Sequence, residues 1–299
     1  MPPSVSIVIP AFNAERYLTE AVQSALGQSV PPVEIVIVND GSSDETAKVA
    51  DRLAATHSRV SALHRPNGGA AAARNTGLSR VSSDFILFLD ADDRLSKDAI
   101  RDHLDVFEKH PGAVMVFGSN NVIDETGKFL RTNLIPEEDV TLADLAMRVT
   151  PSQSQCLYRR SALEVIGGYD ETIRYSQDVE VNLRLIRIGG IYSHGRVVMD
   201  YRRHQTQSTR KSGQIFPHWH VVVLEKHFGP SGLQADPNLL KRAKARWYSK
   251  YGYKQHRVAL GALRRGRFSE AIVASKFAFM RLKARFQGEN WRPGASRDG

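Results

Sequence analysis

The chain is 299 residues long, 41% apolar and 24% charged, with a net charge of +9 and one cysteine, Cys156. An intramolecular disulfide is excluded, and a reducing cytosol is the expected compartment. No apolar run approaches the roughly twenty residues that span a bilayer, and Met1-Pro2-Pro3-Ser4 lacks a signal peptide's basic and apolar layout.

The first 110 residues alternate strand and helix signals. Residues 5–10 are a β-branched run, and 15–28 carry helical spacing through Tyr17, Leu18, Ala21, Val22, Ala25 and Leu26. A strand over 34–39, a helix over 44–56, a strand over 60–64, a helix over 70–80 and a strand over 85–90 follow. This order predicts βαβ units and a mainly parallel, Rossmann-like α/β sheet flanked by helices. Beyond residue 113 the pattern loosens. Strands are expected over 113–117 and 155–159, helices over 161–166 and 178–188, and a polar loop over 204–213. Two basic helices, 238–263 and 269–286, precede a frayed tail over 287–299.

Three segments suggest chemistry. Phe85-Ile86-Leu87-Phe88-Leu89 is apolar without alternation, as suits a strand covered on both faces, and it runs into Asp90, Asp92 and Asp93. The carboxyl ends of strands are where open α/β sheets bind ligands. Three carboxylates so close repel, and a divalent cation with a phosphate-bearing substrate would relieve them. Alternatively Asp93 could cap a helix starting near Ser96, which explains one aspartate and not three. Asn39-Asp40-Gly41-Ser42-Ser43-Asp44 closes another strand with a tight turn, placing Asp40 in the same crevice to accept from a base N–H. In Asn67-Gly68-Gly69 through Arg74-Asn75, glycines allow close backbone approach, and Arg74 offers a fork for phosphate oxygens.

These motifs, in this order and preceded by Ser6-Ile7-Val8-Ile9-Pro10-Ala11-Phe12-Asn13, resemble the family 2 inverting glycosyltransferases of GT-A fold. The resemblance is strong over residues 4–110 and recognisable to about 208. It implies a base pocket lined by Pro10, Ala11, Phe12, Asn13 and Asp40, with Gly68 beside it. It also implies Arg74 at the base or diphosphate, Asp90 and Ala91 near the ribose, and Mn²⁺ or Mg²⁺ on Asp92, with Asp93 as a second metal contact and His204 reaching the diphosphate or the metal from a closing loop. Tyr175-Ser176-Gln177-Asp178 resembles the segment whose acidic residue opens a helix and acts as catalytic base, so Asp178 takes that role and Glu180 is the fallback. The chain departs from the family at Asn39 and Gln177, where acidic residues are common. The implied reaction is inverting transfer from a nucleotide sugar, UDP favoured, to a saccharide or lipid-linked acceptor in polysaccharide or glycolipid assembly.

The implied organisation is a nucleotide-sugar half over 1–110, an acceptor and base half over 111–213, and a basic helical C-terminal extension over 214–299. Residues 241–299 hold 16 Lys/Arg against 3 Asp/Glu, a balance of +13. In the second helix Ile272, Val273, Phe277, Met280 and Ala284 form an apolar stripe, widened by Phe279, Leu282 and Phe286, and suited either to packing or to peripheral contact with an anionic membrane. Two rival readings are a sugar nucleotidyltransferase and a nucleic-acid-binding protein using Trp247, Tyr248, Tyr251 and Tyr253. The first normally has a Gly- and Lys/Arg-rich loop where Ala11-Phe12-Asn13-Ala14-Glu15 stands, and the second leaves the acidic motifs unexplained, so nucleic acid is an unexpected partner.

Overall fold

Val5–Ala11 (β1), Glu34–Asp40 (β2), Val60–Arg65 (β3) and Phe85–Phe88 (β4) form a parallel half-sheet in the order β3-β2-β1-β4. The computed structural model describes residues 3–148, 151–205, 207 and 216–286. Apart from 204, 205 and 207, the expected loop at 204–213 lies outside the described residues, as does the tail at 287–299. The crossovers are Leu18–Leu26 (α1), Thr46–Thr56 (α2) and Ala70–Arg80 (α3). Register brings Ala11 opposite Asn39 and Asp40 opposite Arg65, so the carboxyl ends of these strands share one edge.

The sheet continues through Cys156–Arg159 (β9), Ala113–Ile123 (β6), Gly190–Arg202 (β10) and Arg94–Leu95 (β5). β9 lies antiparallel between β4 and β6, while β10 runs parallel to β6. Phe129–Asn133 (β7) pairs with β6, and Glu138–Val140 (β8) with β10. Ala99–Lys109 (α4) packs on β6 and β10, buries Ile100, Val106 and Phe107, and has Asp98 at its N-cap position without a side-chain capping bond. Asp93, five residues earlier and bonded to Arg202 and Ser154, does not cap it. A continuous core runs from Val5, Ile7 and Ile9 through Leu18, Val22, Ile35, Ile37 and Leu87 to Leu157 and Met199. Arg160–Val165 (α6) and Gln177–Leu185 (α7) complete this part, after Leu142–Met147 (α5).

Two compact units emerge: residues 1–142 with 150–204, and 143–149 with 205–299. The second takes in nearly all of α5 together with Phe216–Phe228 (α8), Pro237–Arg264 (α9) and Phe268–Phe286 (α10). Asp236 caps α9 by accepting from Leu239 N at 2.8 Å, and Pro237 at the first helical position suits it. Trp247 is fully buried and donates Nε1–H to Ala146 O at 2.7 Å. With Tyr248 also buried, neither ring is free to stack on a base, while the side chains of Tyr251 and Tyr253 lie outside the described residues. The expected stripe on α10 divides. Val273 and Met280 pack on Val221 and Tyr248, but Ile272, Phe279 and Leu282 face outward. The side chains of Phe277, Ala284 and Phe286 lie outside the described residues.

Candidate active site

Pro10 and Ala11 end β1, and the chain turns through Phe12, an exposed aromatic ring, and Asn13 at φ 49°. Asn13 N donates to Ser42 Oγ at 3.0 Å, and Asn13 Oδ1 accepts from Ser43 N at 2.8 Å. Ala14 N adds a bond to Thr46 Oγ1 at 2.8 Å. The loops after β1 and β2 are thus stitched together at the strand edge. Gly41, at φ 69°, is required there: a Cβ would meet Asn67 N at 2.6 Å.

Asp40 is buried and organises the third loop. Its Oδ1 accepts from Arg65 Nη1 at 2.9 Å and Gly68 N at 3.0 Å, and its Oδ2 from Gly69 N at 2.7 Å. Each carboxylate oxygen has two lone pairs, so Oδ2 keeps acceptor capacity for a further N–H. Gly69, at φ 90°, opens α3 and starts the helix that carries Arg74.

Arg74 is almost wholly buried and joins two distant segments. Nη2 donates to Asp90 Oδ1 at 2.8 Å and Nη1 to Gln177 Oε1 at 3.0 Å, while the guanidinium lies 5.5 Å from the Tyr169 ring centre. Burial opposes its charge, but Asp90, Tyr169 and Asp178 outweigh burial and hold its pKa above the ordinary value. Asp178 sits in the first turn of α7, behind Ser176 at φ 61°. Burial raises its carboxyl, against Val179 N–H and Arg74. Glu180, two residues beyond, is buried and faces Arg184, whose Nη2 lies 2.6 Å away.

The aspartates after β4 have three different settings. Asp90 is raised by burial and by Asp92, against Arg74. Asp92 Oδ2 lies 2.8 Å from His204 Nε2, and the His204 ring rests 5.0 Å from that of Tyr17. Asp93 is turned inward: Oδ1 accepts from Arg202 N at 3.0 Å and Oδ2 from Ser154 Oγ at 2.9 Å. Burial, with Asp92 and Asp90, pushes its carboxyl well up. Arg202 also donates Nε–H to Asp92 O at 2.9 Å, pairs with Glu20 and lies over Tyr17. Ala91 packs its methyl into the core. Arg74 faces Asp90, His204 faces Asp92 and Asp93 turns inward, yet the repulsion persists: Asp92 still raises Asp90, and both raise Asp93.

A model of glycosyl transferase family 2 matches residues 6–167, more than half of the chain. The chain is a family 2 glycosyltransferase. Among curated relatives, the hyaluronan synthase of Pasteurella multocida is 29% identical over 235 residues, 77% of this chain and 24% of that protein. The chondroitin synthase of Escherichia coli is 27% identical over 236 residues, 78% of this chain and 34% of its own. This glycosyltransferase therefore spans about a quarter to a third of those relatives. The crystal structure of S. aureus TarS 1–349 in complex with UDP-GlcNAc superposes with TM-score 0.62 at 14% identity, covering 98% of this chain and 95% of that one. Its fold is the expected GT-A arrangement, and family membership removes the non-enzymatic and nucleotidyltransferase readings.

Does the glycosyltransferase suit the divalent metal its fold implies? Among the described residues no three His, Cys, Asp or Glu side chains converge as a metal cage, and Asp93 does not join Asp92 and His204. Of the expected metal residues the structure brings together Asp92 and His204, whose Oδ2 and Nε2 lie 2.8 Å apart as a hydrogen-bonded pair of the oxygen and nitrogen donor types a divalent cation accepts.

Several participants were missed from sequence. Ser154 accepts from Asp90 N at 3.0 Å while donating to Asp93, and a capping box between Ser152 and Gln155 holds its turn. That Ser-x-x-Gln spacing was a usable signal. So was the two-residue step from Arg202 to His204, which places both on one side of an extended segment. Tyr17 and Tyr169 carried no signal apart from helical periodicity and an adjacent Gly-Gly.

Proposed function

We propose that this enzyme transfers a sugar, with inversion, from a nucleoside-diphosphate sugar to an acceptor hydroxyl on a saccharide or lipid-linked saccharide. The observation that carries the reading is Arg74, which ties Asp90 on the donor edge to Gln177, immediately before Asp178. Donor phosphates and catalytic base then belong to one constellation. The exposed ring of Phe12 offers a face to a base, with Pro10, Ala11 and Asn13 around it and Asp40 Oδ2 accepting from a base N–H. Uridine is the base we favour, since the S. aureus structure of this fold was solved with UDP-GlcNAc. Residues 1–110 form the donor half in this account, 111–213 the acceptor half and 214–299 the extension.

Asp178 removes the acceptor's proton as its oxygen attacks the anomeric carbon. A carboxyl raised by burial is the better base, and Arg74 works against that rise, favouring the ionised form. Gly68 and Gly69 N–H groups fix Asp40, and Arg202 and Ser154 fix the aspartate turn, so the donor meets a preformed surface. Asp92 and His204 would hold Mn²⁺ or Mg²⁺, which supplies Lewis-acid neutralisation of the departing diphosphate. Asp93 serves this site by positioning the turn. With Cys156 buried and unpaired, a reducing cytosol suits the chain.

The test is thermal stabilisation by a panel of nucleotide sugars with and without Mn²⁺. A donor at a hundred times its Kd stabilises by about 2.7 kcal/mol. A melting-temperature rise with UDP-sugars that needs Mn²⁺ and is lost in Asp92→Ala supports the reading. No shift with any nucleotide sugar contradicts it, and an equal shift with EDTA removes the metal.

A further inference from the structure

The second unit carries an apolar face that its own core does not use. On α10, Phe268, Ile272, Phe279 and Leu282 follow one another in steps of four, seven and three residues, which keeps them on one side of a helix. The rest of the helix surface already meets the core: Ala271, bordering the stripe, and Ala274 are buried, and Val273 and Met280 pack on Val221 and Tyr248. α9 packs along α10 and adds Leu260 and Leu263 near the same end. Exposure of these six side chains ranges from 49% at Leu263 to 70% at Ile272. An apolar surface of that extent marks a contact.

The turn joining the two helices is cationic and ordered. Arg267 N donates to Ala262 O at 2.9 Å and Gly266 N to Leu263 O at 3.0 Å, with Gly266 at φ 67°, a Schellman ending that fixes the tip. Arg264, Arg265 and Arg267 are all exposed on it, between Leu263 and Phe268, and exposed Lys276 flanks the stripe. We propose that this face of the α9–α10 hairpin docks on an anionic lipid surface, the aromatic and aliphatic side chains entering the headgroup boundary and the arginines meeting lipid phosphates. No helix among the described residues is long and apolar enough to cross a membrane, so the hairpin lies on the surface.

Charge selects this occupant over the others. A second copy seated on the same face would bury apolar against apolar and give the exposed Arg264 and Arg265 at the tip no role, whereas an anionic surface uses both features. Nucleic acid would use the arginines but leave Ile272 and Leu282 without a role, and Trp247 and Tyr248 are buried away from bases. The proposal stands apart from the donor-site reading, since none of these residues belongs to that site.

Vesicle co-sedimentation of the full chain tests it, using phosphatidylcholine vesicles with or without about one third phosphatidylglycerol. The expected result is pelleting with the anionic vesicles alone, weakened by salt. Each arginine contributes about fivefold to partitioning, so Arg264→Gln/Arg265→Gln/Arg267→Gln should cost about a hundredfold. Phe268→Ser/Phe279→Ser leaves the charge intact and should lose more than tenfold. Both variants change exposed positions, so unchanged circular dichroism and donor turnover verify the fold. Absence of pelleting with anionic vesicles at low salt overturns the proposal. So does undiminished pelleting of the serine variant, which reduces the effect to charge alone. A dimer in sedimentation velocity that the serine variant abolishes assigns the face to a second copy instead, and a retarded nucleic acid that ignores the serine changes assigns it to nucleic acid.

Discussion

Arg74 reaches Asp90 with one arm of its guanidinium and Gln177 with the other, so a change there acts on both segments at once. Arg74→Met would leave Asp90 without its counter-charge. Breaking a buried pair costs 3–5 kcal/mol, and the expected loss is about 3 because a third of the Asp90 side chain meets water. Arg74→Lys keeps the charge but offers one nitrogen where Nη1 and Nη2 each serve an acceptor, so stability should recover more than turnover does. Denaturant melts beside initial rates decide this, and equal recovery of both would remove the bridging role. Asp178 allows a second test, with a definite sign. A carboxyl raised in the folded state contributes stability that is present below its unfolded value of about 3.9 and is lost as pH rises through the folded value. Asp178→Asn should therefore raise Tm at pH 7 and leave it unchanged near pH 3. Wild-type turnover should fall on the acid side at a pH above the ordinary carboxylate range. A variant less stable at pH 7 would mean that Arg74 and Val179 N–H outweigh burial.

Loops between elements bring the donor edge together, and Gly41 is where two of them cross. Gly41→Ala places a methyl against Asn67 N in a backbone conformation that alanine resists, at an expected cost of about 2 kcal/mol. Since Asp40 and Asn67 are neighbours in that crossing, donor affinity should fall with stability, as thermal shift with and without UDP-sugar will register. Unaltered affinity would separate the crossing from the base pocket. The same scale explains what was legible in the sequence. β1 to β4 and α1 to α3 are strongly periodic or wholly apolar, and the expected ranges match them within a few residues, although β4 ends at Phe88 before Asp90. β10 was missed because its register with β6 shifts three times and Gly195 interrupts its alternation. β7 was invisible for another reason: all five of its residues are exposed, so no face is marked by apolar side chains. The position of Asp178 was legible from its motif. The inward turn of Asp93 was not, because it depends on Ser154 and Arg202, 61 and 109 residues away.

At the scale of the whole molecule, the first unit holds every proposed donor and base residue from Pro10 to His204, and the second holds the basic helices. The hyaluronan and chondroitin synthases match 235 and 236 residues of this chain within much longer proteins. The central claim is that Asp178 performs base chemistry on a donor held at the edge of β1, β2 and β4. Its most direct test is the rate of nucleoside-diphosphate release from a UDP-sugar with a saccharide acceptor, for wild type and Asp178→Asn at saturating donor. The account predicts a fall of about two to four orders of magnitude in kcat with donor binding retained. A variant that releases diphosphate and forms product at the wild-type rate would contradict it.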